Sequence, residues 1–352
     1  MVAIENIFYG FPFVWKFAKA SSGKLPISII NDELKSQSNR SKSYKTRFYI
    51  PSNNRLPKTI LLIHGMSVLG IEDNRLVELA QNLCCSGFSV ITPEFEELKH
   101  LKIQYDTIEN IIDVLKSLNL KSNLIDTENI GFFSISFTGG LGLISATDKD
   151  VSGLIRAILV IGGYSDFSST ACYVLEDKNS DEYGRLIFLY NFIDLVLEKS
   201  ENLKDVLYES AVDNAFRRYG KDSVANKLIQ DLNIRDKEIY QKIWNQDDYS
   251  VNLGREIFES ISTLAQKMSP IEYVERINAP ISLLHGKDDR VIPETETIKL
   301  SEKMKKMKKE YVMEITGLLS HGDRVPLYKQ VADLPGITNA FGYFFKKLLQ
   351  KR

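Results

Sequence analysis

Short runs of apolar residues alternate with helical patterns in two parts of the sequence. Four such runs, at residues 59–63, 88–92, 130–135 and 157–161, are separated by segments whose apolar residues recur at helical spacing. A continuous apolar run predicts a strand covered on both faces, and strands joined through helices pair in parallel. The pattern therefore predicts an α/β fold with a mainly parallel sheet flanked by helices.

The alternation stops after the fourth run and resumes only near residue 281. Residues 165–270 show helical patterns separated by charged stretches, with no comparable apolar strand run. A segment of this length is not a single loop. We therefore predict a core formed by residues 1–164 and 271–352, with a helical insertion at residues 165–270 that caps one edge of the sheet.

The most informative stretch is NIGFFSISFTGGLGL, residues 129–143. The run at Ile130–Ile135 predicts a strand that ends abruptly at Ser136, and a Gly-rich helical pattern follows at once. A strand that turns directly into a helix leaves the residue at the turn exposed and its backbone strained. The N–H after it lies at a helix N-terminus, which favours negative charge. Ser136 is therefore a candidate nucleophile.

Two further polar residues follow later predicted strands. Asp289 lies in HGKDDRVIP after the strand at residues 281–284, and His321 follows the strand at residues 311–315. The carboxyl ends of parallel strands form the edge of the sheet where sites are built. The order Ser136, Asp289, His321, with a strand-turn-helix at the serine, resembles the α/β-hydrolase superfamily.

The resemblance covers residues 47–166 and 280–350 and is closest to the dienelactone-hydrolase and prolyl-oligopeptidase-like serine hydrolases. It implies an α/β-hydrolase fold in which Ser136 attacks a carbonyl carbon and His321 takes the serine proton. Asp289 then fixes the tautomer of His321 and stabilises its imidazolium form.

Two other aspartates, Asp288 and Asp166, also follow predicted strands and are compared with Asp289 as the acid. The acid of the family lies three residues after a loop glycine, here Gly286, so Asp288 is expected to face solvent or to hold the turn. Asp166 follows the fourth apolar run, where some members of the family place the acid. A helix-capping role is preferred for Asp166.

His64-Gly65, after the run at residues 59–63, resembles the oxyanion loop of the family. In that loop the residue after the glycine donates its backbone N–H to the developing oxyanion. The resemblance implies an oxyanion hole made by the N–H groups of Met66 and Phe137. His64 is expected to shape the loop rather than to react.

The stretch around Ser136 departs from the Gly-x-Ser-x-Gly pattern of the family, because Ser134 and Thr138 replace the two glycines. The glycines allow the strand and helix backbones to approach closely. Ser134 is small, whereas Thr138 is β-branched and crowds the turn. Gly139 and Gly140 are expected to relieve that crowding.

The function implied is that of a serine hydrolase, acting on a carboxylic ester through an acyl-enzyme, with an amide or thioester as less favoured substrates. The alternatives are an acyltransferase with the same triad and a non-catalytic binding protein of this fold, which Ser134 and Thr138 favour. We expect the insertion to place apolar residues over the Ser136 hydroxyl, from residues 186–197, residues 257–268 or the neighbourhood of Trp244.

Net charge, histidines and cysteines limit the partners, metal sites and location that the sequence predicts. The net charge of −1 gives no sign of nucleic-acid binding, and the four scattered histidines indicate no metal site. No cofactor is implied, and the expected partner is a small-molecule ester or acyl substrate. Three cysteines, two of them adjacent, form no disulfide framework and predict a reducing, cytoplasmic location.

The N-terminal segment is rich in aromatic residues but is interrupted by Glu5, Gly10 and Pro12, and predicts neither a signal peptide nor a membrane span. We expect it to pack on the domain or on another subunit. Residues 21–46 predict an irregular lead-in that has room for an early strand, followed by a strand at residues 47–50. The alternative for the N-terminal segment is a membrane-surface contact through Phe8, Tyr9, Phe11, Phe13, Trp15 and Phe17.

Overall fold

Eight strands form one central sheet in the computed structural model, which describes residues 4–18, 25–52, 57–317 and 333–350. The strands are β1 (Ile27–Lys35), β2 (Ser43–Pro51), β3 (Thr59–Ile63), β4 (Ser89–Pro93), β5 (Ile130–Ile135), β6 (Ile155–Ile161), β7 (Ile281–Gly286) and β8 (Tyr311–Thr316). Their order in the sheet is β1-β2-β4-β3-β5-β6-β7-β8. β2 pairs antiparallel with β1 and β4, and all other pairs are parallel.

Helices connect the parallel strands and cover both faces of the sheet. Those before β6 are α1 (Ile4–Ala18), α2 (Asn74–Cys85), α3 (Glu96–Lys99), α4 (Asp106–Ser117) and α5 (Phe137–Ser145). Between β6 and β7 lie α6 (Phe167–Glu176), α7 (Glu182–Phe192), α8 (Glu201–Phe216), α9 (Ala225–Leu228), α10 (Ile234–Asn245), α11 (Asp248–Ser260) and α12 (Ser262–Lys267). The last two are α13 (Glu294–Lys306) and α14 (Leu334–Leu349).

Side chains that alternate along the central strands build an apolar layer on each face of the sheet. In β3, Ile60 and Leu62 pack with residues of α1, α2 and α14, whereas Leu61 and Ile63 belong to the layer that includes α4 and α5. All five residues of β3 are buried. The predicted α/β fold with a mainly parallel, doubly covered sheet is thus confirmed.

The antiparallel edge of the sheet differs in detail from the sequence-based prediction. The strand predicted at residues 47–50 is the end of a longer strand, β2, and the lead-in contains β1. β1 is the edge strand, and Leu34 is its only buried residue. Because β1 packs almost no apolar surface, its sequence carries no continuous apolar run.

The segment between β6 and β7, in which every residue is described, consists of helices and turns and contains no strand. Its helices share the apolar layer that covers one face of the sheet, for example through Leu189 of α7 and Val206 of α8. Its two ends lie side by side, since the Ile271 N–H donates to the Ser165 carbonyl oxygen at 2.9 Å. The insertion therefore leaves and re-enters the sheet at one edge, while its status as a separate domain stays a prediction.

Two helices in the insertion were predicted with the wrong boundaries. The pattern at residues 186–197 belongs to α7, which begins four residues earlier and ends at Phe192, followed by a short 3₁₀ turn. The pattern at residues 257–268 is divided between α11 and α12 at Ile261, which is buried. The apolar spacing continues across both breaks, so the sequence pattern alone does not show them.

The N-terminal segment forms a helix, α1, that packs along α14, in agreement with its predicted packing on the domain. The two helices cross closely, because a Cβ on Gly342 would lie 1.7 Å from the Asn6 carbonyl oxygen, and Asn6 Nδ2 donates to Asn339 Oδ1 at 2.8 Å. Phe13 is only 2% exposed, so its predicted membrane contact is wrong. Side chains on the outer side of α1 are Ile4, Phe8, Phe11 and Trp15.

A membrane-surface contact through these outer side chains stays a prediction. No helix among the described residues has the length and apolar character needed to cross a membrane.

Candidate active site

Ser136 occupies the sharp turn between β5 and α5. Its backbone has φ 59° and ψ −134°, a conformation that costs free energy for any residue other than glycine. Two backbone hydrogen bonds hold the turn: the Ser136 N–H donates to Ile161 of β6 at 2.7 Å, and the Gly139 N–H donates to the Ser136 carbonyl at 2.8 Å. The predicted strand-turn-helix is therefore present with its strain at the serine.

Thr138 fits the turn by bonding back to the strand. It is fully buried, and its Oγ1 donates to the Ile135 carbonyl oxygen at 2.9 Å. The close approach of helix and strand falls at Gly139, where a Cβ would lie 2.7 Å from Val160 Cγ1 and 2.8 Å from Gly163 Cα. The small residue that the turn requires thus stands one position after Thr138.

Ser134 points away from the turn and into the apolar core. It has no exposed surface, and a Cβ on Gly142 of α5 would lie 2.9 Å from Ser134 Oγ. Ser136 borders a cavity, whereas Ser134 is not among the residues that line it. The geometry therefore favours Ser136 over Ser134 as the reactive serine.

The loop after β3, residues 64–73, which we call the oxyanion loop, lies against Ser136. A Cβ on Gly65 would be 3.3 Å from Ser136 Cβ and 3.3 Å from the Ile135 carbonyl oxygen, so a larger residue would crowd the turn. Met66 and Phe137 line the same cavity as Ser136. The two residues predicted to supply the oxyanion hole are thus brought to one place.

His64 is a buried residue that supports this loop. Its Nε2 accepts a hydrogen bond from the Phe95 N–H at 3.1 Å, which places the proton on Nδ1, and Nδ1 donates to the Gly65 carbonyl at 2.8 Å. Burial lowers the pKa of His64 below its ordinary value of 6.5. A neutral imidazole with both nitrogens engaged fits the predicted role in shaping the loop.

The loop after β7, residues 287–293, which we call the acid loop, carries Asp289. This side chain is 6% exposed, and its Oδ1 accepts hydrogen bonds from the N–H groups of Val291 and Ile292 at 2.9 and 3.1 Å. Asp289 borders the same cavity as Ser136. Asp288, by contrast, is exposed and has φ 63°, as expected for a residue that faces solvent at a turn.

His285 holds the acid loop from inside, a role that the sequence did not reveal. It is fully buried, with Nε2 donating to the Ile292 carbonyl oxygen at 2.8 Å and Nδ1 2.7 Å from Thr297 Oγ1 of α13. Its Nε2 also lies 3.7 Å from Asp289 Oδ2. The His-Gly pair that precedes the acid is the sequence signal for this support.

Asp166, the alternative acid, has a structural environment. Its Oδ1 accepts from the Ser168 N–H at 2.9 Å and caps α6, while its Oδ2 pairs with Lys299 Nζ at 2.5 Å. Burial raises the pKa of this carboxyl, but the Lys299 ammonium and the capping bonds lower it by more. The preferred helix-capping role agrees with these contacts.

His321 lies outside the described residues. The strand that precedes it in sequence, β8, pairs in parallel with β7, the strand that carries the acid loop. The structure therefore brings together Ser136, Met66, Phe137 and Asp289, and the position of His321 is a prediction from the sequence.

The cavity above Ser136 measures about 1110 Å³ and has one wall made by the insertion. Ile187 and Phe188 of α7 contribute to this wall, whereas Trp244, α11 and α12 do not line the cavity in the described part of the chain. Trp244 is 48% exposed on α10. The insertion therefore reaches the site through α7 and its neighbours rather than through the later helices.

Aromatic side chains form a continuous group beside Ser136. The ring of Phe137 stacks on Tyr164 with centroids 5.5 Å apart and meets Phe167 at 6.4 Å. Phe167 in turn lies 6.4 Å from Phe188 of α7. An apolar group of a bound substrate would contact this surface without losing hydrogen bonds.

Within the described residues, no group of His, Cys, Asp and Glu side chains is arranged to hold a metal ion.

Comparison with known proteins gives similarity in fold across nearly the whole chain and in sequence over one segment. The BD-FAE family model matches residues 218–304, which include β7 and the acid loop. A search of curated proteins gives no match.

Three solved structures illustrate the similarity in fold. Pyrococcus horikoshii acylaminoacyl peptidase is 16% identical with a TM-score of 0.54, covering 96% of this chain and 44% of the peptidase. A Mycobacterium tuberculosis puromycin-hydrolyzing peptidase is 15% identical with a TM-score of 0.53, covering 95% of this chain and 41% of the other. A thermostable esterase from Pseudomonas putida ECU1011 is 12% identical with a TM-score of 0.54, covering 97% of this chain and 90% of the esterase.

The chain thus spans less than half the length of the two peptidases and most of the length of the esterase. The sheet order, the strained turn at Ser136 and the similarity in fold agree with one another. The comparisons and the sheet order therefore show that the chain has an α/β-hydrolase fold.

Proposed function

We propose that the protein is a serine hydrolase that cleaves a carboxylic ester through an acyl-enzyme. The observation that carries the proposal is the position of Ser136, in a strained turn that borders the cavity lined also by Met66, Phe137 and Asp289. Backbone strain of this kind persists only where the surrounding structure fixes it, and it is common at active sites.

In the proposed reaction, Ser136 Oγ bonds to the ester carbonyl carbon while its proton passes to His321. The bond between that carbon and the alcohol oxygen then breaks, and His321 returns the proton to the departing alcohol. A water molecule attacks the acyl-Ser136 ester, gives its proton to His321 and releases the acid, and Ser136 recovers the proton. Asp289 orients the imidazole of His321 and stabilises its charged form.

The N–H groups of Met66 and Phe137 are the proposed donors to the oxyanion. Phe137 is the first residue of α5, so its N–H lies at a helix N-terminus that stabilises negative charge. Met66 follows Gly65, whose backbone lies against Ser136. Donors fixed before the reaction stabilise the transition state without having to reorganise.

The proposed acyl site is the apolar wall formed by the insertion together with the aromatic group around Phe137. Ile187 and Phe188 of α7 line this cavity together with Ser136. In this proposal the insertion acts as a cap, which excludes water from the acyl-enzyme and sets the preference for acyl chain length.

Amide hydrolysis is the second candidate, because two proteins of similar fold are peptidases. Acyl transfer uses the same acyl-enzyme and differs only in the acceptor. The non-catalytic alternative loses part of its support, since the side chain of Thr138 is accommodated in the turn by its hydrogen bond to Ile135.

The test of the proposed substrate class uses p-nitrophenyl esters of increasing acyl length, with matched p-nitroanilides and with added alcohols or amines as acceptors. We expect hydrolysis of at least one ester at a rate well above that of the matched anilide. Faster turnover of the anilide would favour a peptidase, and an acyl product on the added acceptor would favour acyl transfer. Absence of all three reactions would contradict the catalytic proposal.

A further inference from the structure

The start of α7 lies between the acid loop and the oxyanion loop and is hydrogen-bonded to both. On the acid-loop side, the Asp181 N–H donates to the Arg290 carbonyl oxygen at 2.7 Å, and Arg290 Nε donates to the Asn179 carbonyl oxygen at 2.6 Å. Asp181 is also the N-cap of α7, accepting from the Tyr183 N–H at 2.9 Å. The first turn of α7 is therefore fixed relative to the loop that carries Asp289.

On the oxyanion-loop side, the Tyr183 side chain makes a hydrogen bond. Tyr183 Oη donates to the Met66 carbonyl oxygen at 3.0 Å, across a sequence separation of 117 residues. A second contact secures the same loop internally, because Ser67 Oγ donates to Asp73 Oδ2 at 3.1 Å and Arg75 pairs with the same carboxylate. Tyr183 thus hydrogen-bonds the insertion to the oxyanion loop.

The Met66 N–H is flanked by two carbonyl groups that are both held. His64 Nδ1 donates to the Gly65 carbonyl, which shares a peptide plane with the Met66 N–H, and Tyr183 holds the Met66 carbonyl on the other side. Because a peptide unit is planar, fixing the Gly65 carbonyl fixes the direction of the Met66 N–H. Fixing the next carbonyl restrains the remaining backbone rotation at Met66.

We propose that Tyr183 is a positioning residue that keeps the Met66 N–H aimed at the oxyanion, so that the first turn of α7 couples the insertion to catalysis. The inference rests on the proposed function. It follows from the geometry because removal of one hydroxyl would release the Met66 carbonyl while leaving the aromatic wall of the cavity in place.

Burial raises the pKa of Tyr183 well above its ordinary value, so the phenol stays protonated and remains a donor throughout the neutral range. Loss of the hydroxyl is therefore expected to lower kcat by the same factor at every pH in that range, unlike the loss of a titrating group.

The experiment compares Tyr183→Phe with a matched control, Tyr208→Phe. Tyr208 lies on α8, packs on Tyr190 with ring centroids 5.2 Å apart and does not line the cavity. For Tyr183→Phe we expect kcat to fall ~10- to 100-fold, less than for removal of an oxyanion donor itself, with KM within ~3-fold and an unchanged acyl-length preference. For Tyr208→Phe both constants should stay within about 2-fold of wild type.

Amide hydrogen exchange of the oxyanion loop supplies a readout that needs no activity. The inference predicts faster exchange in residues 64–73 of Tyr183→Phe and not in the Tyr208→Phe control. A merely structural role would instead lower the melting temperature without a selective loss of kcat.

Three results would overturn the inference: a kcat of Tyr183→Phe within 2-fold of wild type, a change in acyl preference that makes Tyr183 part of the specificity wall, or unchanged exchange in the loop. Failure of the proposed function is recognised separately, because a wild-type protein that hydrolyses none of the substrates removes the catalytic role of Tyr183 whatever the exchange shows.

Discussion

The strained backbone conformation of Ser136 depends on hydrogen bonds that hold the turn and on small neighbours that leave space for it. The positive φ is maintained by hydrogen bonds to Ile161 and Gly139, and the space for the turn comes from Gly65 and Gly139. Thr138, which occupies the position of a family glycine, compensates for its bulk with a hydrogen bond to Ile135. The turn therefore requires a close backbone approach, and the sequence meets that requirement one residue later than the usual pattern.

Asp289 and Asp288 give a matched test of the acid. Asp289 is buried beside the cavity, whereas Asp288 is exposed at the turn. We expect Asp289→Asn to lower kcat/KM by ~10³-fold or more, because an amide cannot orient the imidazole in its reactive tautomer. Asp288→Asn should change it by no more than about 3-fold. Steady-state kinetics of both variants test this prediction. Equal, small decreases in kcat/KM would indicate that Asp166 is the acid instead.

His64 makes a prediction about stability. Its pKa is lowered by burial in the folded protein, so below pH 6.5 the unfolded chain binds a proton that the folded chain does not. The free energy of unfolding should therefore decrease as pH falls below 6.5, by up to about 1.4 kcal/mol per pH unit from this group. Urea unfolding across that range should show a shallower pH dependence in His64→Asn than in wild type.

Equal pH dependence in the two proteins would mean that, below pH 6.5, His64 binds a proton as readily in the folded protein as in the unfolded chain. In that case the hydrogen bond accepted from Phe95 would not exist, and the account of the oxyanion loop would need a different support.

At the scale of elements, α7 connects the insertion to both loops of the site and to the cavity. Its first turn contacts the acid and oxyanion loops, and its middle supplies Ile187 and Phe188 to the cavity. The base of the insertion is fixed by the buried carboxylate Glu296 of α13, which accepts from the N–H groups of Ser165 and Asp166 at 3.0 and 2.8 Å. The insertion is therefore held by hydrogen bonds both at its base, through Glu296, and at the first turn of α7.

A larger side chain on this wall should change substrate preference more than stability. Ile187→Phe should lower the ratio of kcat/KM for long-chain to short-chain p-nitrophenyl esters by ~10-fold or more, since one methylene in such a pocket is worth ~1–3 kcal/mol. The added volume should cost less than ~3 kcal/mol in the free energy of unfolding. The control is Leu195→Phe, at a site just after α7 that is 55% exposed.

The control should leave both the ester profile and the stability unchanged. An unchanged profile in Ile187→Phe would show that the acyl chain lies elsewhere and that the insertion is better interpreted as an interface with a partner.

At the scale of the whole molecule, the parallel part of the sheet could be predicted because each of its inner strands is buried on both faces. A strand buried in this way has a continuous run of apolar residues in the sequence. β3 and β5 were predicted with their observed boundaries for that reason. An early strand was allowed in residues 21–46, but β1 could not be given bounds because an exposed edge strand needs no such run. In the same way, the turn at Ser136 follows from local sequence.

Contacts between distant segments could not be predicted from local patterns. The hydrogen bond from Tyr183 to Met66 spans 117 residues and depends on how the insertion packs, which no single stretch of sequence encodes. For the same reason the sequence left three parts of the insertion as alternatives for the wall over Ser136. Among the described residues, Ile187 and Phe188 from residues 186–197 line the cavity, whereas residues 257–268 and Trp244 do not.

The central claim, that Ser136 is the nucleophile, is tested most directly by reaction with a fluorophosphonate and location of the adduct by mass spectrometry. The account predicts one modified residue, Ser136, in wild type and in Ser134→Ala, no modification in Ser136→Ala, and at least ~10³-fold lower ester turnover in Ser136→Ala. A folded wild-type protein that is not labelled, or labelling that survives in Ser136→Ala, would contradict it.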